Sequence, residues 1–188
     1  MKNTINGYIL AGGKSSRMGV DKGLMLFRGK HLIEHIIEQL KPVVNKVVIV
    51  SNNSYYNKFG LEVIGDFYKE IGPAGGIHAA LTHSGKNIFV VGCDMPFVTS
   101  AAIEFVINHS ASLQITLPIL TGNIEPLFGV YSKACLGKWN ELIQRKVFKL
   151  LELVENFDLL KFKVDDIPIF NKNLFMNLNM RVDLELKN

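Results

Sequence analysis

A chain of 188 residues, 48% hydrophobic and 20% charged, is long enough for one domain with a full core, and no apolar run in it approaches the ~18 residues of a membrane span. The net charge of +4 and pI near 9.0 would suit a nucleic-acid partner, but the basic residues are scattered without an aromatic-interleaved stripe, so no nucleic acid and no membrane is expected as partner; anionic small molecules account for the charge. Cys93 and Cys135 form no C-x-x-C and read as two buried thiols; with no secretory signal ahead of the first strand-like run, a cytoplasmic location is expected.

In chain order, Ile5 to Leu10 is a short apolar run with Gly7 inside and Gly12 after, read as a buried strand that delivers the glycine-rich stretch following it. Leu32, Ile33, Ile36, Ile37 and Leu40 recur at helical spacing and stop before Pro42, which predicts a core-facing helix. Lys46 to Ser51 is β-branched and apolar, a fully buried strand that ends in Asn52-Asn53; Leu61 to Ile64 repeats the pattern and ends in Gly65-Asp66. Gly72-Pro-Ala-Gly-Gly76 opens a small-residue helix, Ile77 to Thr82. Asn87 to Cys93 is the most strand-like run and halts at Asp94-Met-Pro96. After the Thr99-Ser100 cap, Ile103, Val106 and Ile107 mark another helix. Strands are predicted at Leu113 to Leu120, Pro126 to Tyr131, Leu160 to Val164 and Leu174 to Met176. Helices are predicted at Lys133 to Arg145, Phe148 to Glu155 and Asn177 to Leu186. The alternation implies a mostly parallel sheet with helices on both faces, a three-layer α/β/α arrangement.

The stretch Ile9 to Gly23 carries the clearest chemistry. Gly12, Gly13 and Gly19 let backbone N–H groups approach a ligand, while Lys14, Arg17 and Lys22 add three cations within nine residues, a combination suited to a triphosphate. It is not a P-loop, because the position that must be glycine is Tyr8, and it lacks the Gly-x-Gly-x-x-Gly of dinucleotide sites. A tight turn bearing solvated cations is the alternative reading of the same residues. Polar residues recur where strands end: Gly12 and Gly13, Asn52, Asp66 and Asp94. Ligands of open α/β sheets bind beyond such ends, so these would share one crevice; taken singly, each is equally a turn or cap residue.

Leu10-Ala-Gly-Gly13, Arg17-Met-Gly19, Asp21-Lys22, Gly72-Pro73 with Gly75-Gly76, Cys93-Asp94-Met-Pro-Phe97 and Phe175-Met-Asn-Leu-Asn179 together resemble the molybdenum cofactor guanylyltransferases, nearly end to end. The resemblance implies a single Rossmann-like nucleotidyltransferase domain over residues 1–188 that transfers GMP from GTP to molybdopterin, with Mg²⁺ as cofactor. It implies nucleotide contacts at Leu10, Ala11, Gly12, Gly13, Lys22, Asn52, Asp66 and Asp94, a metal ligand at Asp94, and catalytic roles for Arg17, Lys22 and Asp94, with charge neutralised by Arg17, Lys22 and the Mg²⁺ on Asp94. The pterin side would fall on Asn177 and Asn179. Leu10-Ala-Gly-Gly13, where many cytidylyltransferases have Leu-Ala-Ala-Gly, favours guanine; a cytidylyltransferase acting on molybdopterin or another phosphorylated small molecule is the alternative, and a nucleotide-binding module without transfer activity a third reading. The chain departs from the family at Gly72-Pro-Ala-Gly-Gly76, commonly Gly-Pro-Leu-Ala-Gly, and at Asn177-Leu-Asn-Met-Arg181, commonly Asn-x-Asn-Thr-Pro.

Other signals have plainer readings. His31-Leu-Ile-Glu-His35 fits a zinc-peptidase pattern, but its helix points Leu32, Ile33 and Ile36 at the core. His78 and His83 do not share a helix face, and Trp139 with Leu142 and Ile143 reads as core. Lys133, Lys138, Arg145, Lys146 and Lys149 form either a solvated face or a docking surface for a molybdenum-enzyme maturation protein.

Overall fold

The computed structural model describes residues 4–12, 21–68, 70–110 and 113–178. Ten strands are named in chain order: β1 Asn6–Leu10, β2 Leu26–Phe27, β3 Lys30–His31, β4 Val47–Val50, β5 Glu62–Ile64, β6 Ile88–Gly92, β7 Ile115–Leu120, β8 Asn123–Ile124, β9 Phe128–Tyr131 and β10 Leu159–Lys163. The α-helices are α1 Leu32–Leu40, α2 Pro73–Ser84, α3 Ser100–Asn108, α4 Leu136–Gln144 and α5 Leu150–Val154. The main sheet runs β10-β7-β9-β6-β1-β4-β5, with β8 folded onto β7.

Apolar residues alternate across the central strands, and this sends them to two cores. Ile9, Ile49, Phe89 and Val91 pack with α1 and α3 on one face. Tyr8, Leu10, Val48, Val50 and Val90 pack with α2, α4 and α5 on the other. A strand buried on both faces must be apolar throughout, which is why these segments read as continuous runs. The three-layer expectation therefore holds. The sheet is mostly parallel, with β9 inserted antiparallel between β6 and β7.

Parallel neighbours need long crossovers, and the crossovers put chain ends on one side. β1 pairs in parallel with β4 on one flank and with β6 on the other, and β5 extends the β4 side. The chain runs outward from β1 through β4 to β5, then returns to the opposite flank of β1 to form β6. That reversal is a topological switch point, and it lies between β1 and β6.

Several boundaries differ from the sequence expectation for identifiable reasons. α2 begins at Pro73, four residues before the expected Ile77, because Gly72 caps it at φ +70° and proline suits its first turn. The segment Leu174 to Met176 is not a strand but successive turns, with Leu174 N–H on Asn171 O and Met176 N–H on Asn173 O. Its apolar residues serve as anchors instead: Leu174 is buried, and Phe175 packs on Phe128 with ring centroids 5.0 Å apart. Of the helix expected at Asn177 to Leu186, residues 177 and 178 are irregular and the remainder lies outside the described residues. The β2–β3 hairpin and a 3-10 helix at Ser54–Phe59 have no counterpart in the periodicity of the sequence.

Both tight hairpins turn on a non-glycine residue followed by glycine at positive φ: Arg28 (+48°) with Gly29 (+76°), and Thr121 (+51°) with Gly122 (+79°). The β-branched Thr121 is the more strained of the two, and asparagine before glycine is the preferred pair for such turns. Thr121→Asn is expected to gain about 1 kcal/mol, raising the midpoint of thermal unfolding by about 2–4 °C. An unchanged or lowered midpoint in calorimetry would count against the strain.

Candidate nucleotide-transfer site

Backbone ladders bring the strand ends into line. Cys93 N–H reaches Leu10 O (3.1 Å), Ala11 N–H reaches Val50 O (2.9 Å) and Ser51 N–H reaches Ile64 O (2.9 Å). Immediately beyond them, in sheet order, come Asp94, Gly12, Asn52 and Asp66, so the four expected strand ends do lie side by side. Leu10 and Ala11 are buried and Gly12 is exposed. Gly13 and Arg17 lie outside the described residues.

Lys22 opens a 3-10 turn, Lys22–Leu24, and its Nζ sits 3.2 Å from Asp94 Oδ2. This ion pair bridges the switch point. Both partners are partly withdrawn from water, with side-chain exposures of 27% for Lys22 and 15% for Asp94. The C-terminal segment comes to the same place: Leu178 N–H bonds to Asp94 O at 3.0 Å, which brings Asn177, exposed, alongside. Asn179 lies outside the described residues.

At the β4 and β5 ends, Asn52 Oδ1 accepts Asp66 N–H (3.1 Å) and Asp66 Oδ1 accepts Tyr68 N–H (2.8 Å). Burial pushes the Asp66 carboxyl above the usual carboxylate range, against the Tyr68 N–H bond, which favours the ionised form. The glycines of the 72–76 segment explain the fit. A Cβ on Gly75 would collide with both Asp66 carboxylate oxygens and lie 2.8 Å from Tyr68 O, so the first turn of α2 accepts Asp66 only with glycine there.

Two groups of residues near Lys22 and Asp94 were given no individual role by the sequence, although Asp21 stands within the stretch Leu10 to Lys22 that carries the resemblance. The first is Asp21 with Asn53 and Tyr56: Asn53 Nδ2 donates to Asp21 Oδ2 at 2.8 Å, and the buried Tyr56 hydroxyl donates to Asp21 Oδ1. Burial, with Cys93 and the Asp21 carboxylate adding to it, holds the Tyr56 phenol far above its ordinary value, so it stays a donor. The second is Glu125, in the turn between β8 and β9, whose Oε1 accepts Leu127 N–H at 3.1 Å. Burial, with a smaller contribution from the charge of Asp94, pushes its carboxyl up to about 7. A lone acid inside the apolar run Ile124-Glu-Pro-Leu-Phe128 was the available signal.

The histidines are accounted for locally. His31 caps α1 and its Nδ1 pairs with Leu24 O at 2.7 Å, while His35 Nε2 pairs with Phe27 O at 2.9 Å. His78 is buried edge-on against Tyr68, and His83 pairs with the Tyr8 hydroxyl at 2.9 Å. Among the described residues no three His, Cys, Asp or Glu side chains converge to hold a metal ion, so the zinc-peptidase pattern has no site there. Cys93 and Cys135 are free and buried, and burial pushes the Cys135 thiol up to about 12. Lys133, Lys138, Arg145, Lys146 and Lys149 are all exposed.

Residues 7–158, which include these strand ends up to Asp94 and Glu125, match the family model described as the MobA-like NTP transferase domain. The chain belongs to the MobA-like NTP transferase family. It is accordingly a nucleotidyltransferase. A relative from Flavobacterium johnsoniae named "Probable molybdenum cofactor guanylyltransferase" is 32% identical, the match covering 91% of this chain and 98% of the relative. A relative of the same name from Clostridium perfringens is 35% identical over 91% of this chain and 89% of its own. Among solved structures, that titled molybdopterin-guanine dinucleotide biosynthesis protein A from Archaeoglobus fulgidus superposes with a TM-score of 0.81 at 27% identity, covering 97% of this chain and 96% of that one. Among the described residues of this MobA-like transferase, no helix is long and apolar enough to cross a membrane.

Glu125 makes a measurable pH dependence. Its folded-state pKa lies above that of the unfolded chain, so the native state binds the extra proton and stability falls as pH rises from the ordinary glutamate range to about 7. In metal-free buffer, Glu125→Gln is expected to match the parent at pH ~4 and to exceed it at pH ~8 by up to about 3 kcal/mol, since each tenfold weakening of the acid is worth about 1.4 kcal/mol. Urea unfolding at the two pH values checks this, and a pH-independent difference contradicts it.

Proposed function

We propose that this MobA-like transferase moves GMP from GTP to the terminal phosphate of molybdopterin, forming molybdopterin guanine dinucleotide and releasing pyrophosphate. The observation that carries the reading is the Lys22–Asp94 pair, a cation and a carboxylate 3.2 Å apart at the switch point between β1 and β6. The names of the relatives from Flavobacterium and Clostridium, and of the Archaeoglobus structure, support the choice of guanine and of molybdopterin.

The chemistry asks little of a general base. A phosphate monoester has its second pKa near ~6 and is largely ionised at neutral pH, so the nucleophile is ready. The barrier is repulsion between two polyanions, and positioned positive charge is what lowers it. Lys22 would neutralise phosphate oxygens, and so would Arg17 of the glycine-rich stretch. Gly12 and Gly13, having no side chains, would let their amides approach the triphosphate. Asn52 and Asp66 would meet the nucleoside, and Asn177 and Asn179 the pterin side.

Asp94 is suited to hold Mg²⁺. That ion takes one or two protein carboxylates and completes its octahedron with water and substrate phosphates, and Asp94 offers a partly exposed carboxylate already paired with a cation. Bound there, Mg²⁺ would supply charge neutralisation and polarise a phosphoryl oxygen. Lys22, whose ammonium now occupies Asp94, is long enough to turn to the phosphates instead.

The purified protein is to be incubated with Mg²⁺, molybdopterin and GTP, CTP, ATP or UTP in turn, and pyrophosphate followed. GTP is expected to be the productive nucleotide; pyrophosphate from CTP alone would favour the cytidylyltransferase reading, and none from any nucleotide a binding module. Lys22→Ala and Asp94→Asn are each expected to lower turnover by about 10²–10³-fold with the circular dichroism spectrum unchanged. Near-normal transfer by either removes that residue from the mechanism.

A further inference from the structure

We infer that Asp21, held by Asn53 and Tyr56, is the positioning residue that sets where Lys22 stands. The inference rests on the reading of Lys22 as the phosphate-facing cation and adds a device to it.

A lysine ammonium ends four rotatable bonds, and fixing it costs up to about 2 kcal/mol of rotamer entropy. Lys22 is nevertheless aimed at one oxygen of Asp94, a residue distant in sequence. The backbone on which it stands is what is held. Asp21 is extended (φ −84°, ψ 108°), and its carbonyl accepts Leu24 N–H at 3.1 Å, so it opens the turn that contains Lys22. In an ordinary cap of such a turn the side chain would bond the turn's own N–H groups, but that of Asp21 makes no such bond. Both of its oxygens point away, to Asn53 and Tyr56.

The donors that receive it are themselves fixed. Asn53 Oδ1 accepts Tyr55 N–H at 3.0 Å as the cap of the 3-10 helix Ser54–Phe59, so its amide cannot flip without losing that cap, and Nδ2 must face Asp21. Tyr56 is fully buried in the core beneath α1 and α3. On the other side of Lys22, Gly23 is buried so closely that a Cβ there would overlap the Tyr56 hydroxyl and lie 3.3 Å from Cys93 Sγ. Lys22 is thus bracketed. Asp21 ties it to the end of β4, and Gly23 seats it against Cys93, the residue before Asp94.

An amide at position 21 is nearly the same shape but has one donor face. With its oxygen turned to Asn53 Nδ2 it presents its NH2 to Tyr56, whose hydroxyl must then accept rather than donate; the buried phenolic proton loses its acceptor and the clamp loses both charge-assisted bonds. Small displacements of a charge-stabilising group are costly in a positioned site, about 10²-fold for 1 Å.

The test is a double-mutant cycle, read as pyrophosphate release at saturating GTP and Mg²⁺ with molybdopterin, under single-turnover conditions. Asp21→Asn is expected to lower the rate by about 10- to 100-fold in otherwise unaltered protein, and by less than about twofold once Lys22 is already alanine. Tyr56→Phe, which keeps the buried ring and removes only the hydroxyl, is expected to show the same pattern to a smaller degree. General damage to the fold would instead lower the rate equally in both backgrounds. A full-rate Asp21→Asn protein, or equal losses with and without Lys22, overturns the clamp while leaving Lys22 in place. Full turnover by Lys22→Ala overturns the reading of Lys22 and the clamp with it.

Discussion

β1 is hydrogen-bonded in parallel on both sides, and everything the site does follows from its register. Gly7, Tyr8, Ile9 and Leu10 stand opposite Val47 to Val50 on one flank, and Asn6 to Leu10 stand opposite Ile88 to Gly92 on the other. Because side chains alternate, a slip of one residue would send Tyr8 and Leu10 into the core that now holds Ile9, and would expose one face of each neighbour's packing to a mismatch. Tyr8 and Ile9 are fully buried, so the sheet has no tolerance for that slip. The correct register is also the one in which Leu10 O receives Cys93 N–H and Ala11 N–H reaches Val50 O. The ends are thereby placed level, and polar residues one step beyond them converge without any further device.

The two cores then take separate parts of the crevice. The core with α1 and α3 contains Tyr56 and Cys93, which flank the Lys22 turn. The core with α2 and α4 carries Ala74, next to the Gly75 that admits Asp66. The Lys22–Asp94 pair stands just beyond Cys93, at the end of β6. A pair this accessible contributes little to stability, of order 0–1 kcal/mol. On the proposed reading its importance lies elsewhere: Lys22 can leave Asp94 for a phosphate, and a divalent cation can take its place on the carboxylate.

How much of this was legible in the amino-acid sequence depended on what kind of signal each piece leaves. Strands buried on both faces announce themselves as apolar runs, so Ile5 to Leu10, Lys46 to Ser51 and Asn87 to Cys93 each contain a strand within a residue or two of the expected ends. α1 is legible through its 3.6-residue period. β2 and β3, two residues each, exist only through their pairing around Arg28-Gly29 and carry no period of their own. Leu174 to Met176 misleads for the opposite reason: three apolar residues bury themselves from turns as well as from a ladder. The strand-end residues Asn52, Asp66 and Asp94 could be found because topology alone brings them together. Asp21 and Glu125 could not be given individual roles, because a carboxylate's behaviour is set by its surroundings in the fold: Asn53, 32 residues away, for Asp21, and burial, with the charge of Asp94 adding to it, for Glu125.

Trp139 shows how a residue correctly read as core can still bear on the site. It is fully buried, packed edge-on against Tyr131 and tilted against Phe157. An indole N–H inside a core needs an acceptor, and Trp139 Nε1 finds Ala74 O at 3.0 Å. Ala74 belongs to the first turn of α2, one residue before Gly75, so the bond ties α4 to the stretch of helix that closes over Asp66. That carbonyl is an unusual place for a side-chain bond, since within an α-helix it would ordinarily be satisfied by the N–H four residues on. The second bond fits its second lone pair and fixes the entry of the helix from the side. The glycine-rich segment at 72–76 therefore needs both of its properties: absence of side chains, to receive the Asp66 carboxylate, and a rigid floor, which the tryptophan supplies from the neighbouring helix.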